Sequence, residues 1–270
     1  MHTKLMGILN ATPDSSLDKG KHFSFEKAIQ RAHEIYQQGA DIIDIGGEST
    51  RPGAAPVSLE EEIQRVIPLI KEVRQSIPLP ISIDTIKWQV AAAAVNAGAT
   101  FINDVSGFRD PEMRRVGVES EATLFVMHMQ GEPRTMQKDP SYSQGVIKEI
   151  STWLMERVGE LLEQGAHKDK IYLDPGIGFG KTVAHNLEIV HNFAELKKLG
   201  FPLLLGLSRK SFMGKINNKS YEELLPESLA MHTIACMNGI DILRVHDVKE
   251  SRDIINLLKA YSEHIPEKRA

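Results

Sequence analysis

Asp84, Asn103 and Asp174 each stand where a short apolar run gives out, in "PISIDT", "TFINDVSG" and "KIYLDPGIGF". Two carboxylates and an amide can grip a flat heterocycle with neighbouring N–H groups, because a carboxylate accepts two parallel hydrogen bonds. Arg51, Lys210, Arg244 and His246 follow other runs and bring cations and donors. Arginines with a histidine suit phosphate or pyrophosphate. "SRKSFMG" leads from a run into a new turn; if it opens a helix, its free N–H groups add an anion site. Asn10 ends "KLMGILN". Its neutral oxygen suits Mg²⁺ shared with phosphates better than a protein-only cage.

Those residues need elements that bring them together. Eight β-rich runs alternate with amphipathic stretches: "KLMGILN", "ADIIDIGG", "PISIDT", "TFINDVSG", "ATLFVMHM", "KIYLDPGIGF", "PLLLGLSRK" and "DILRVHDV". Between them lie helical patterns such as "SFEKAIQRAHEIYQQG" and "LEEEIQRVIPLIKEVRQS". Such alternation argues for parallel strands joined by crossover helices. Eight units in 270 residues predict an α/β fold, a (β/α)₈ TIM barrel, as one domain over residues 1–265 with a solvated tail at 266–270. A doubly wound open sheet is the alternative, but it needs fewer strands. In a closed barrel all strand ends meet at one mouth. Asn10, the Glu48–Arg51 run, Asp84, Asn103, Asp104, His128, Asp174, the Ser208–Ser211 run, Arg244 and His246 then converge there. One Asp after a strand often only caps the next helix; the whole set argues for a site.

Other readings are weaker. "GIGFGKT" has three residues between Gly176 and Gly180, where a phosphate loop of the Walker type needs four. Lys210 could form a Schiff base if its pKa were depressed, with Arg209 beside it. No His or Cys pair has zinc-like spacing. The charge is −4, from 32 Lys and Arg against 36 Asp and Glu, which points to neither nucleic acid nor an anionic membrane as partner. The single cysteine, Cys236, excludes an internal disulfide framework, fits a reducing compartment and sits in a core-like helical run. "MHTKLMGILN" has no long apolar h-region, and no run approaches a membrane span, so a cytoplasmic location is expected.

The ordered motifs resemble one family nearly end to end. "GILNATPDS", "GADIIDIGGESTRPGA", "ISIDT", "INDVSG", "MHMQGEPRTMQ", "DPGIGFGK", "SRKSF" and "LRVHDV" are similar to those of the dihydropteroate synthases. Pterin-binding methyltransferases share the barrel and the Asp and Asn positions, but not "ESTRPG" or "SRKSF". A non-catalytic pterin-binding paralogue is a further alternative. The resemblance implies joining p-aminobenzoate to 6-hydroxymethyl-7,8-dihydropterin pyrophosphate, with Mg²⁺ assisting. It implies a pterin held by Asp84, Asn103, Asp174 and Lys210, with Met127 and Phe179 lining the slot. Asn10 would meet Mg²⁺ and pyrophosphate, and Arg244 and His246 the pyrophosphate. Asp84, Asp174, Lys210, Arg244 and His246 would carry catalysis. Thr50, Arg51, Pro52, Lys210 and Ser211 would form the p-aminobenzoate side. Asp14 and Asp18 would lie on a first mobile loop and Arg51 on a second. The resemblance also implies a homodimer through late helices.

The family's first motif reads "NxTPDSFSDGG", whereas this chain has "NATPDSSLDKG", so Ser16 stands where the family has Phe. In the family that Phe packs on the p-aminobenzoate ring and on sulfonamides. Leu17, Phe23 or Phe25 fills the gap, or the enzyme binds amine and sulfonamide more weakly, or another amine is the substrate. The expectation is an active synthase with lowered sulfonamide sensitivity.

Overall fold

The computed structural model describes residues 2–12, 24–49, 55–132 and 135–264. Its strands are β1 (Lys4–Asn10), β2 (Ile42–Gly46), β3 (Ile81–Asp84), β4 (Phe101–Asp104), β5 (Thr123–Met127), β6 (Ile171–Asp174), β7 (Leu204–Leu205) and β8 (Ile242–Val245). The helices are α1 (Phe25–Gln37), α2 (Leu59–Ser76), α3 (Trp88–Ala97), α4 (Pro111–Glu119), α5 (Val146–Glu163), α6 (Val183–His191), α7 (Phe193–Lys197), α8 (Ser211–Asn217), α9 (Leu225–Met237) and α10 (Val248–His264). All strand pairings are parallel, in the order β6-β5-β4-β3-β2-β1-β8-β7. A parallel bridge from Leu173 to Leu203 joins the two ends, so the sheet closes and the open doubly wound alternative fails.

The helices start where their sequences provide caps. Ser24 accepts from the Lys27 N–H ahead of α1, and Ser58 from the Glu61 N–H ahead of α2. Glu60, Glu61 and Glu62 in the first turn of α2 meet the positive end of its dipole.

Two apolar layers arise because alternate strand residues point to opposite faces. The larger, between strands and helices, holds Leu5, Ile43, Ile45, Ile83, Leu173, Leu205 and Leu243 with the inner faces of the helices. The smaller plugs the barrel with Met6, Ile42, Phe125, Leu204 and Ile242, against Phe101 and Tyr172. Phe101 stacks on Phe125 at 5.4 Å, and Tyr172 meets Phe125 edge-on at 5.4 Å. Two residues further along each strand the side chain points inward again, one layer nearer the mouth. There the sequence places Asp44, Asn103, Met127, Asp174 and Arg244. The apolar plug is the floor on which this polar layer rests.

Candidate active site

Arg244 sits at the centre of the polar layer. Its Nε donates to Asp44 Oδ2 and its Nη2 to Asp84 Oδ2, each at 2.6 Å. Asn103 Nδ2 donates to the same Asp44 oxygen at 3.2 Å. One guanidinium thus serves two buried carboxylates from adjacent strands. Burial pushes Asp84 up to about 7; Arg244 pulls it down, and neighbouring Asp44, Glu62 and Asp104 push it up again. For Arg244 burial acts downward, but Asp44 and Asp84 more than offset it, so the guanidinium stays charged.

Asp174 ends β6, and its Oδ1 accepts the Gly176 N–H at 2.8 Å. Burial raises its pKa, opposed by that N–H and by Lys210. Lys210 caps α8, so "SRKSFMG" does open a helix. Burial of its amine lowers Lys210 to about 8, against the pull of Asp174. Its Nζ lies 4.5 Å from the centre of the Phe179 ring, a cation–π contact. Gly178 and Gly206 leave room for the Lys210 stem; a Cβ on Gly178 would stand 3.3 Å from its Cδ. Met127 and Phe179 share one apolar cluster with Val105, Met129 and Met136. The mouth therefore has a charged floor, an apolar wall and a lysine between them.

Asn10 ends β1, half-buried and in register with Gly46. His246 follows β8. Its Nδ1 lies 3.1 Å from Ser208 Oγ, and its carbonyl accepts from Arg31 Nη2 at 3.0 Å. Ser211 is exposed as the first residue of α8. Arg209 forms a two-point ion pair with Asp247, at 2.8 and 2.9 Å, so the lowered pKa of Lys210 comes chiefly from burial and not from its neighbour Arg209. Asp104 folds back on its own turn, accepting from Ser106 and Phe108 N–H groups at 2.8 Å. Asp14, Ser16, Asp18, Thr50, Arg51 and Pro52 lie outside the described residues.

Sequence reasoning passed over Asp44 and Lys181. Asp44 hides inside the apolar run "ADIIDIGG", yet it lies two residues beyond Ile42, on the inward face. Lys181 ends the discarded "GIGFGK" match and lies buried, 3.0 Å from His128 Nδ1. No group of three His, Cys, Asp or Glu among the described residues could hold a metal ion. The amide of Asn10 fits a cation that arrives on phosphate oxygens and keeps its waters.

Residues 6–246 match the profile of a family described as pterin binding enzyme. A dihydropteroate synthase of Escherichia coli strain K12 is 43% identical over 96% of this chain and 92% of its own length. One from Synechocystis is 45% identical over 96% and 90%. The chain belongs to the dihydropteroate synthase family of pterin-binding enzymes. Solved members of the family share the fold closely. A Yersinia pestis dihydropteroate synthase in a sulfonamide drug complex matches with a TM-score of 0.93 at 39% identity, over 97% of this chain and 95% of that one. A Xanthomonas albilineans dihydropteroate synthase with 4-aminobenzoic acid matches at 0.91 and 38% identity, over 98% and 94%. These relatives carry the synthase name, not that of the methyltransferases.

Proposed function

We propose that this chain condenses p-aminobenzoate with 6-hydroxymethyl-7,8-dihydropterin pyrophosphate, releasing 7,8-dihydropteroate and pyrophosphate in folate synthesis. One observation carries the reading: a charged floor of Asp84, Asn103, Asp174 and Arg244 lies beside the Met127–Phe179 wall and Lys210. In this reading the pterin lies flat in the slot. Its N–H groups meet Asp84, Asn103 and Asp174, and Lys210 donates to its ring acceptors.

Breaking the bond from the exocyclic carbon to pyrophosphate places positive charge on that carbon and into the ring. The two carboxylates stand where that charge develops and cost no reorganisation as it forms. Arg244 links this charge to the departing pyrophosphate: its Nε and Nη2 hold carboxylates, while Nη1 has no partner among the described residues. His246 and Asn10 would meet the same leaving group at neighbouring strand ends. When bound, Mg²⁺ would neutralise pyrophosphate oxygens; Asn10 is the residue that would help hold it. The aromatic amine attacks the cation as a neutral nucleophile, so no strong base is required. Thr50, Arg51, Pro52 and Ser211 would orient the amine's carboxylate, and Asp14 and Asp18 would close the mouth against water.

We place the enzyme in the cytoplasm as a homodimer. No helix of the described residues is long and apolar enough to cross a membrane. Helices α9 and α10 pack together and expose Ile234, Met237, Leu257 and Tyr261, a face suited to a second copy. The test of the function is p-aminobenzoate-dependent pyrophosphate release, with Mg²⁺ present and then chelated. Saturable release with dihydropteroate as product supports the reading. Tight pterin binding without turnover overturns it in favour of a non-catalytic paralogue.

A further inference from the structure

The segment that carries the Phe179 ring has no regular structure to hold it. Gly176, Gly178 and Gly180 have φ values of +69°, +84° and +64°, so the backbone leaves both the helical and the extended regions. Its polar groups are instead satisfied mostly by side chains from elsewhere. Gly178 N–H donates to Asn186 Oδ1 at 2.8 Å, and Gly178 O accepts from Gln137. Gly180 O accepts from the Tyr142 hydroxyl at 2.8 Å. Phe179 O accepts from Lys181 Nζ at 2.9 Å.

Lys181 stands apart among these partners. It is 4% exposed, and its amine contacts only Phe179 O and His128 Nδ1 among the described residues. A buried lysine is ordinarily paired with a carboxylate. Burial pushes its pKa well down, with Asp174 acting upward and Lys210 downward. His128 is likewise pushed far down by burial, with Lys181 and Arg109 adding to the effect. Lys181 and His128 thus meet away from solvent, with Trp153 edge-on to His128 at 5.1 Å.

We propose that Lys181 is a positioning residue for the pterin slot: bridging His128 at the end of β5 to the Phe179 carbonyl, it holds the Phe179 ring against Lys210. This role rests on the synthase reading above. It acts on the pterin side alone, because Phe179 belongs to the apolar wall with Met127.

The test compares K181M, which keeps the length and loses the donor, with K181Q, which keeps one donor. Leaving a buried carbonyl unpaired is expected to raise KM for the dihydropterin pyrophosphate about tenfold. The p-aminobenzoate KM and kcat should stay within about twofold, and K181Q should recover part of the loss. Calorimetric binding of the dihydropterin pyrophosphate, without amine, gives the same comparison independently of turnover. An inactive wild type would therefore count against the synthase reading but not against this one. An unchanged pterin affinity in K181M overturns the proposal. So does equal weakening of both substrates with a lowered melting temperature, which would make Lys181 a general strut.

Discussion

Replacing Asp84 with Asn should make the protein more stable and nearly inactive. In the folded chain its pKa rises from 3.8 to about 7, chiefly through burial. That rise corresponds to about 4 kcal/mol of stability lost once the carboxyl ionises. The sign follows from proton counting. Below about pH 3.8 the group is neutral in both folded and unfolded chains. Between 3.8 and about 7 the folded chain keeps a proton that the unfolded chain has lost, so stability falls as pH rises. The Asn variant has no such loss, and its advantage should grow across that window and level off above it. A competing effect has the opposite sign, since breaking a buried ion pair by removing one partner typically costs about 3–5 kcal/mol. That cost arises when the remaining charge is stranded. Here Arg244 keeps Asp44 at 2.6 Å through Nε, so only part of it applies. We expect D84N to gain about 2 kcal/mol at pH 8 in urea unfolding and little at pH 4. Its kcat should fall about 10²–10³-fold, as for loss of a group aimed at transition-state charge. A D84N protein less stable than wild type at pH 8 would refute this reasoning and make Asp84 a structural partner of Arg244.

Four further outcomes are expected. The kcat/KM profile should be a narrow bell, falling below about pH 7 as Asp84 protonates and above about pH 8 as Lys210 loses its proton; a plateau from pH 5 to 9 would contradict it. Gly176→Ala should destabilise by on the order of 3 kcal/mol or more, because its Cβ would stand 1.9 Å from the His128 carbonyl oxygen. Gly200→Ala, also at positive φ but with open space around it, should cost only about 1–2 kcal/mol in the same thermal melts. Ser16→Phe should lower a sulfonamide inhibition constant about fivefold, the worth of one aromatic contact; equal constants would dismiss the expectation of lowered sensitivity.

The barrel was legible because each strand is a short apolar run and each crossover an amphipathic helix. "KLMGILN" is β1 and "LEEEIQRVIPLIKEVRQS" is α2, residue for residue. Asp84, Asn103, Asp174 and Lys210 were legible for a similar reason: polar types at the close of apolar runs. Asp44 was not, because a carboxylate inside an apolar run reads as part of the strand until the inward face is known. Ile42 in the barrel plug fixes that face, and Asp44 follows two residues on. Arg209 misled in the other direction. Its neighbours Ser208 and Lys210 suggest a cluster, but its own φ is +51° and its side chain leaves for Asp247. Adjacent residues on a turn diverge, while residues far apart in sequence meet. Lys181 carried no signal beyond its motif, since an apolar burial site for an amine is built entirely by tertiary packing.

The central claim is that buried carboxylates under the pterin favour departure of pyrophosphate before the amine bonds. The direct measurement is the secondary deuterium isotope effect at the exocyclic methylene of the dihydropterin pyrophosphate, taken in a single turnover. A clearly normal effect, independent of which aromatic amine is supplied, is the result expected for a carbon that turns planar as the leaving group departs. An effect near unity that changes with the amine would mean that attack and departure are concerted, and that Asp84 and Asp174 bind the ring without driving the chemistry.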